Sequence, residues 1–556
     1  MLQATAPAAR LVQLRDAPHV GGAELHRLTA VSKQGGWAIQ KIRKTMRLLG
    51  NWHLALLLAG CGGGGNGMQP GSNGGPPQRG ALLQTPPQLL STVTTSALLA
   101  ELNAAAANQQ VLSLSGPPVC DILMYHIEYE TVGGADEPTT ASAALMVPIG
   151  AGASCTGSRP IVEYAHGTST ERTFNMADMH NAETLLLAAL FATQGYIVVA
   201  PNYAGYDTST LPYHPYLIGD QQSKDMIDAL TAARAALPLA SLTTVQDSGQ
   251  LFLIGYSEGG YVAMATLRAM QAAGMRVDAT VPMSGPYALA AFADAVFYGE
   301  VNGDAPVSTT FLATAYQHAY GNIYASATDV FEPQYASGID SLLPSTLLRS
   351  QLYASGKLPQ YALFSSTPPT PQFADITPPT TPADLAPVFA LGFGADNLIL
   401  NSYRLSYLLD AQAHPDGGFP TLTTGLPAAA PGLPWRQALQ RNDLRSFSPT
   451  APALLCGGDL DPVVFWLNTE LMQNYWTSQS PPSAPVSVLD LESAPTADDP
   501  YASLKQGFRL AKAAVAAQAV ANGATDGGAA AVFEAYHVTL VAPFCVAAAR
   551  SFIAAH

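Results

Sequence analysis

Two parts of the chain share one rhythm, in which short apolar runs alternate with longer stretches of helical periodicity. In the first part, Ile122–Thr131 and Ala141–Pro148 read as strands, and the turn residues of 133–138 (Gly-Gly-Ala-Asp-Glu-Pro) join them into a hairpin. Further buried strands are expected at 160–166, 195–201, 251–256 and 279–286, with helices over 182–194, 222–237 and the alanine-rich run after Gly260. Strands that alternate with helices in this way imply a parallel sheet with helices on both faces. The rhythm breaks between Tyr287 and Pro449, where helical pieces, proline-rich loops and aromatics such as Phe297, Tyr316, Tyr320 and Tyr407 replace it. It resumes with strands at 451–456 and 486–491, a helix over 503–522, and a last helix that ends near Phe552. The predicted fold class is α/β: a mostly parallel, doubly wound sheet built from 89–287 and 450–556, with a large, mainly helical insertion over 288–449. The insertion is expected to cap the C-terminal edge of the sheet; an independently packed helical subdomain is the alternative.

The N-terminal region follows neither pattern. Residues 1–45 are basic and lack periodicity, and are read as lying upstream of a true start at Met46. From Met46 a basic start, a short apolar run and Leu58-Ala59-Gly60-Cys61 resemble a bacterial lipoprotein signal over 46–60. The resemblance implies cleavage before Cys61 and acylation of its thiol. It also implies an exported protein at the outer membrane and cell surface or in the periplasm, and Gly62, rather than Asp, after the cysteine favours the outer membrane. Residues 61–88 are rich in Gly, Pro, Asn and Gln and read as a flexible tether. In an exported protein the other four cysteines should pair; proximity favours Cys120 with Cys155 and Cys456 with Cys545, the two other connectivities remaining open.

Composition narrows the function classes. The chain has 556 residues, 48% hydrophobic and 12% charged, with a net charge of −15. An acidic chain offers nothing to hold a phosphate backbone, so nucleic acid is not an expected partner. Five cysteines without a CxxC or Cys/His cluster argue against structural zinc. No cofactor or metal is expected.

The candidate chemistry centres on Gly255-Tyr256-Ser257-Glu258-Gly259, between an apolar run and a helix-prone one. In a G-x-S-x-G turn the serine sits on strained backbone above a strand end, with the next N–H facing the same space. A serine nucleophile needs a base, and the base needs a carboxylate. Asp461, in the loop Gly457-Gly458-Asp459-Leu460-Asp461 after a buried strand, is the preferred acid, with Asp459 its rival. His537 and the terminal His556 are the histidines after it, and His537, in a loop-like position before the last helix, is the expected base. Oxyanion donors are expected from the Glu258 N–H and from Thr168 or Gly167, with His166 shaping that loop and Asn202 and Tyr203 lining the site.

The glycine elbow, the His166-Gly167 loop, the acid loop and the late histidine together resemble the α/β-hydrolase superfamily of serine esterases and lipases. The insertion and Leu211-Pro-Tyr-His-Pro-Tyr-Leu217 are similar, more loosely, to secreted lipases of the Candida antarctica lipase A type. The resemblance implies carboxylic-ester hydrolysis through an acyl-enzyme. The substrate would be an ester with an apolar acyl part, a polyester among the candidates, handled by a monomer anchored through Cys61. A peptidase of the same fold and a non-catalytic surface lipoprotein are the alternatives.

Overall fold

The computed structural model describes residues 78–240, 244–383 and 385–556. The expectations for residues 1–77, including the lipoprotein signal, Cys61 and the first part of the tether, lie outside the described residues. Strands β1 (Gln88–Val93), β2 (Asp121–Val132), β3 (Pro138–Ile149), β4 (Gly157–Ala165), β5 (Ile197–Pro201), β6 (Val245–Tyr256) and β7 (Ala279–Met283) come first. A short parallel pair, β8 (Phe364–Ser365) and β9 (Phe393–Gly394), belongs to the insertion, and β10 (Ala453–Gly457) and β11 (Val486–Asp490) complete the main sheet. The main sheet has nine strands in the order β1-β2-β3-β5-β4-β6-β7-β10-β11. β1 to β3 pair antiparallel, β3 meets β5 antiparallel, and every later pairing is parallel.

Alternate side chains of each strand feed the two faces. On β2, Ile122 and Met124 join one apolar cluster with helix α3 (Ala182–Leu190) and the C-terminal helices. Leu123, Tyr125, Ile127 and Tyr129 face the other cluster, under α4 (Gly219–Ala236) and α5 (Glu258–Ala272). The parallel strands therefore read as largely apolar runs, interrupted by buried polar residues such as Thr280 of β7 and Glu163 of β4. Glu163 on β4 is completely buried, and neither carboxyl oxygen has a hydrogen-bond partner. Burial pushes its pKa well above the usual carboxylate range, against a smaller opposing pull from Arg234. The folded protein thus holds a proton there that the unfolded chain releases, so stability is lost as pH rises above the unfolded value of 4.5 toward the folded one. Each pH unit in that window costs about 1.36 kcal/mol. Glu163→Gln is expected to raise the melting temperature at pH 8 and to leave it nearly unchanged at pH 4; thermal melts at the two pH values check this.

Two features at the front of the fold differ from expectation. Part of the expected tether is packed on the core: Arg79 Nε donates to Asp228 Oδ2 at 2.9 Å, and the Gly80 and Leu83 N–H groups donate to Glu130 and Glu128 on β2 at 2.8 and 2.9 Å. The free edge of β2 takes up this low-complexity segment through its backbone, which needs no apolar side chains. Helices α1 (Thr95–Ala104) and α2 (Ala106–Ser115), which the periodicity did not single out, then pack on each other, and α2 lies against α3 and the last helix.

The insertion between β7 and β10 holds α6 (Leu289–Phe297), α7 (Ala305–Tyr320) and further helices at Asn401–Ala413 and Pro434–Asn442. Its aromatics stack on one another, Phe297 on Tyr407 at 3.6 Å between ring centroids. The same apolar cluster continues into Val262, Ala263 and Met264 of α5, so the insertion has no separate core. Two buried arginines brace it: Arg436 bridges Asp294 (2.6 Å) and Asp410 (2.8 Å), and Arg445 bridges Asp416 (2.7 Å) and Asp443 (3.0 Å). Disulfides join Cys120 to Cys155 and Cys456 to Cys545, the pairings favoured by proximity in sequence.

Candidate active site

β6 runs into Ser257, whose φ of 60° and ψ of −123° lie in a region that an L-residue occupies only under constraint. The constraint comes from crowding. A Cβ on Gly255 would stand 2.1 Å from the Gly259 carbonyl oxygen, and one on Gly259 would stand 1.9 Å from that of Ala165. Only glycine allows α5 to start so close to β4 and β6. The Ser257 N–H donates to the Met283 carbonyl at 2.9 Å, which ties the elbow to β7.

Ser257 Oγ lies 2.8 Å from His537 Nε2, and His537 Nδ1 lies 2.7 Å from Asp461 Oδ2. A carboxylate only accepts, so Nδ1 carries the proton and Nε2 is the acceptor for the serine hydroxyl. Asp461 is buried, and its Oδ1 accepts the Val463 and Val464 N–H groups at 2.9 and 3.1 Å. The Asp-Pro-Val-Val loop thus folds back on its own carboxylate and aims the second oxygen at the imidazole. Asp459 is exposed, and its N–H donates to Asp490 Oδ1 at 3.1 Å. His556 is exposed at the C-terminus, where Nδ1 donates to Phe552 O.

His537 does not sit in a loop. It lies in a π-helical segment, Tyr536–Val541, between Ala529–Ala535 and Ala542–Ile553. Pro543 lacks an N–H and cannot close the α-helical ladder onto Thr539, so the widened turn has a local cause. The turn directs His537 inward and leaves Val538 66% exposed at the cavity mouth. The Tyr256 hydroxyl donates to the His537 carbonyl and anchors that turn. Sequence reasoning missed Tyr256; an aromatic residue beside the nucleophile was the available signal. Ala529–Ile553 is also apolar and long enough to cross a membrane, but its inner face is packed against the sheet and α3.

The loop after β4 follows the expectation for His166 and corrects those for Asn202 and Tyr203. His166 is buried, stacks on Tyr203 at 4.1 Å and hydrogen-bonds to backbone carbonyls; burial lowers its pKa, which keeps it neutral. Asn202 and Tyr203 are absent from the cavity wall. The Asn202 side chain bonds Ser142 and the Met176 N–H, and Tyr203 donates to the His166 carbonyl, so both support the loop from behind. The Gly167 N–H donates to Glu183 Oε2 at 3.2 Å, and Tyr164 donates to the same oxygen at 2.6 Å. Two backbone bonds between Thr170, Arg172 and Ser345 strap this loop to the insertion.

Ser257 and His537 open into a cavity of about 450 Å³. Leu289, Phe292, Val296, Trp435 and Leu439 of the insertion form much of its wall, and Ala107 and Val111 of α2 add another part. Its polar lining includes Asp304 and Arg349, which are joined by two bonds at 2.9 and 3.1 Å.

A family model described as secretory lipase matches residues 172–276, a span that contains the elbow. The chain is similar in structure to a rice cell wall degrading esterase, LipA, from Xanthomonas oryzae, with 26% identity and a TM-score of 0.58 over 77% of this chain and 95% of that one. A protein from Legionella pneumophila aligns with 20% identity and a TM-score of 0.54, over 74% of this chain and 91% of that one. Candida antarctica lipase A aligns with 11% identity and a TM-score of 0.41, over 72% and 76%. No curated protein matches the chain. The fold is that of the α/β-hydrolase esterases and lipases, and the matches support a carboxylic-ester hydrolase.

Proposed function

We propose that the protein hydrolyses carboxylic esters through an acyl-enzyme, with Ser257 as nucleophile, His537 as general base and acid, and Asp461 as the group that orients His537. Ser257 Oγ attacks the acyl carbon while its proton moves to His537 Nε2. The carbonyl oxygen gains the negative charge and is received by the backbone N–H groups of Glu258 and Thr168. Glu258 opens α5, where N–H groups lack intrahelical partners. Gly167 drops out as a donor because Glu183 already takes its N–H. As the C–O bond breaks, His537 returns the proton to the departing alcohol. Water then repeats the attack on the acyl carbon with His537 as base, releasing the acid and restoring Ser257.

The hydrogen-bonded series Ser257–His537–Asp461, opening onto an apolar cavity, carries this reading. The cavity walls suit an acyl chain, and a soluble ester, a lipid or an aliphatic polyester segment all present one. A peptidase would want a free carboxylate for an amine, and the acids at this cavity are engaged: Asp304 by Arg349, Glu183 by Tyr164 and Gly167, and Glu258 by His214 and Gln222. One chain supplies the whole cavity, so a monomer suffices. Acylation of Cys61 would hold the enzyme at the outer membrane, and two disulfides suit an oxidising exterior.

The test is a panel of p-nitrophenyl esters from acetate to palmitate, a triglyceride, an aliphatic polyester and aminoacyl p-nitroanilides, with and without EDTA. Ester turnover that survives EDTA, with the anilides untouched, is the expected result. Folded protein that turns over no ester, or that prefers the anilides, contradicts the proposal.

A further inference from the structure

The segment Leu211–Leu217 has no role in the chemistry above, yet it touches the residues that bear both proposed oxyanion donors. His214 and Glu258 are wholly buried, their side chains 0% exposed. His214 Nδ1 lies 3.0 Å from the Ala204 carbonyl, which only accepts, so Nδ1 carries a proton. His214 Nε2 lies 2.6 Å from Glu258 Oε1, and that contact therefore holds a proton of its own, on one atom or the other. Gln222 Nε2 donates to the same oxygen at 2.7 Å. The side chain of the residue that follows the nucleophile is thus clamped from the loop and from α4. Burying such a pair carries a desolvation cost that close geometry and further hydrogen bonds must offset.

Two residues on, the Tyr216 hydroxyl lies 3.1 Å from Thr168 Oγ1. The segment is itself held tightly. Tyr206 packs on His214 with ring centroids 4.7 Å apart, and Phe311 of α7 stacks on Tyr216 at 5.0 Å. A Cβ on Gly205 would stand 2.2 Å from the Tyr213 carbonyl oxygen, so that glycine lets the segment lie against the loop after β5. Leu217 has a φ of 52°, and its carbonyl accepts hydroxyls from Tyr261 of α5 and Tyr316 of α7, both at 3.2 Å. Backbone strain of this kind persists where the surroundings over-determine it.

We infer that His214 and Tyr216 are positioning residues for the oxyanion hole: His214 fixes the first turn of α5 through Glu258, and Tyr216 fixes the opposite donor through Thr168. The inference rests on the proposed function, since the two donors are those assigned there. Because one segment carries both contacts, the distance between the donors is set by Tyr213–Leu217 and is coupled to the insertion through Phe311 and Tyr316.

The test uses His214→Phe, which keeps the ring and removes the hydrogen bonds, and Tyr216→Phe, which removes one oxygen. Two readouts are taken: p-nitrophenyl butyrate kinetics, and the Ki of an alkyl trifluoromethyl ketone. Ser257 Oγ adds to that ketone carbon and His537 takes the proton, so the former carbonyl oxygen becomes the anion in the hole. The expected loss in kcat is about 3–10-fold for Tyr216→Phe and about 30–100-fold for His214→Phe, with KM within about twofold. The ketone Ki should rise by the factor that kcat/KM falls, which a merely structural role would not produce. If His214→Phe does not fold, Tyr216→Phe decides alone. Unchanged kcat and Ki in the folded variants, or a loss confined to KM, overturns the inference while an inert Ser257→Ala leaves the proposed function standing. An active Ser257→Ala overturns the proposed function itself.

Discussion

Ser257→Ala and His537→Ala are each expected to lower kcat on a soluble ester by about 10⁴- to 10⁶-fold, and the double variant to fall no further. The non-additivity is the informative part. Removing Oγ leaves His537 with no proton to take, and removing the imidazole takes away the base that stands 2.8 Å from Oγ, which stays a neutral hydroxyl. Either change abolishes one joint step, so the second finds nothing left to remove. The activity that remains belongs to the oxyanion donors and the rest of the cavity wall. Ser257→Ala should also keep its fold, because the strained elbow is enforced by the crowding at Gly255 and Gly259 rather than by the serine side chain. Steady-state kinetics on the three variants, with circular dichroism as a control, check the prediction.

Asp461→Asn is expected to lower kcat by about 10⁴-fold, and Asp459→Asn to stay within about twofold of wild type. The two acids are two residues apart, but their surroundings differ. Asp461 Oδ1 accepts two backbone N–H groups, so in the asparagine variant the amide oxygen is pinned at that position. The NH₂ group then faces His537 Nδ1, where the carboxylate oxygen was. Nδ1 must become an acceptor, and the imidazole proton moves to Nε2, where it points at Ser257 and blocks proton transfer. Shape is preserved and the tautomer is reversed. Asp459 is exposed, and it is Asp461 that lies at hydrogen-bond distance from His537 Nδ1. Parallel kcat measurements on the two variants decide between them.

The sheet was legible because parallel strands buried on both faces must be largely apolar runs, and Leu251–Tyr256 and Ala279–Met283 are such runs. The order of Ser257, Asp461 and His537 was legible because the chain offers few histidines after the acid loop. Other features left no trace in periodicity. The packing of Arg79–Leu83 on β2 uses backbone groups, which every sequence possesses. The π-turn at His537 depends on Pro543 and on a tyrosine 281 residues earlier. The wall contributed by α2 combines Ala107, Asn108, Gln110 and Val111, a mixed polar and apolar set that no hydrophobic pattern marks. The role of Glu183 in occupying Gly167 is likewise a matter of distance in space.

The central claim is that Ser257 is a nucleophile activated for attack on an acyl-type centre. Diethyl p-nitrophenyl phosphate tests it directly: Ser257 Oγ bonds to phosphorus, p-nitrophenolate departs, and His537 takes the proton. The protein should release about one equivalent of p-nitrophenolate per chain, and peptide mass mapping should place a diethylphosphoryl group on Ser257. Folded wild-type protein that releases none, or Ser257→Ala protein that releases as much and carries the group elsewhere, would contradict the account.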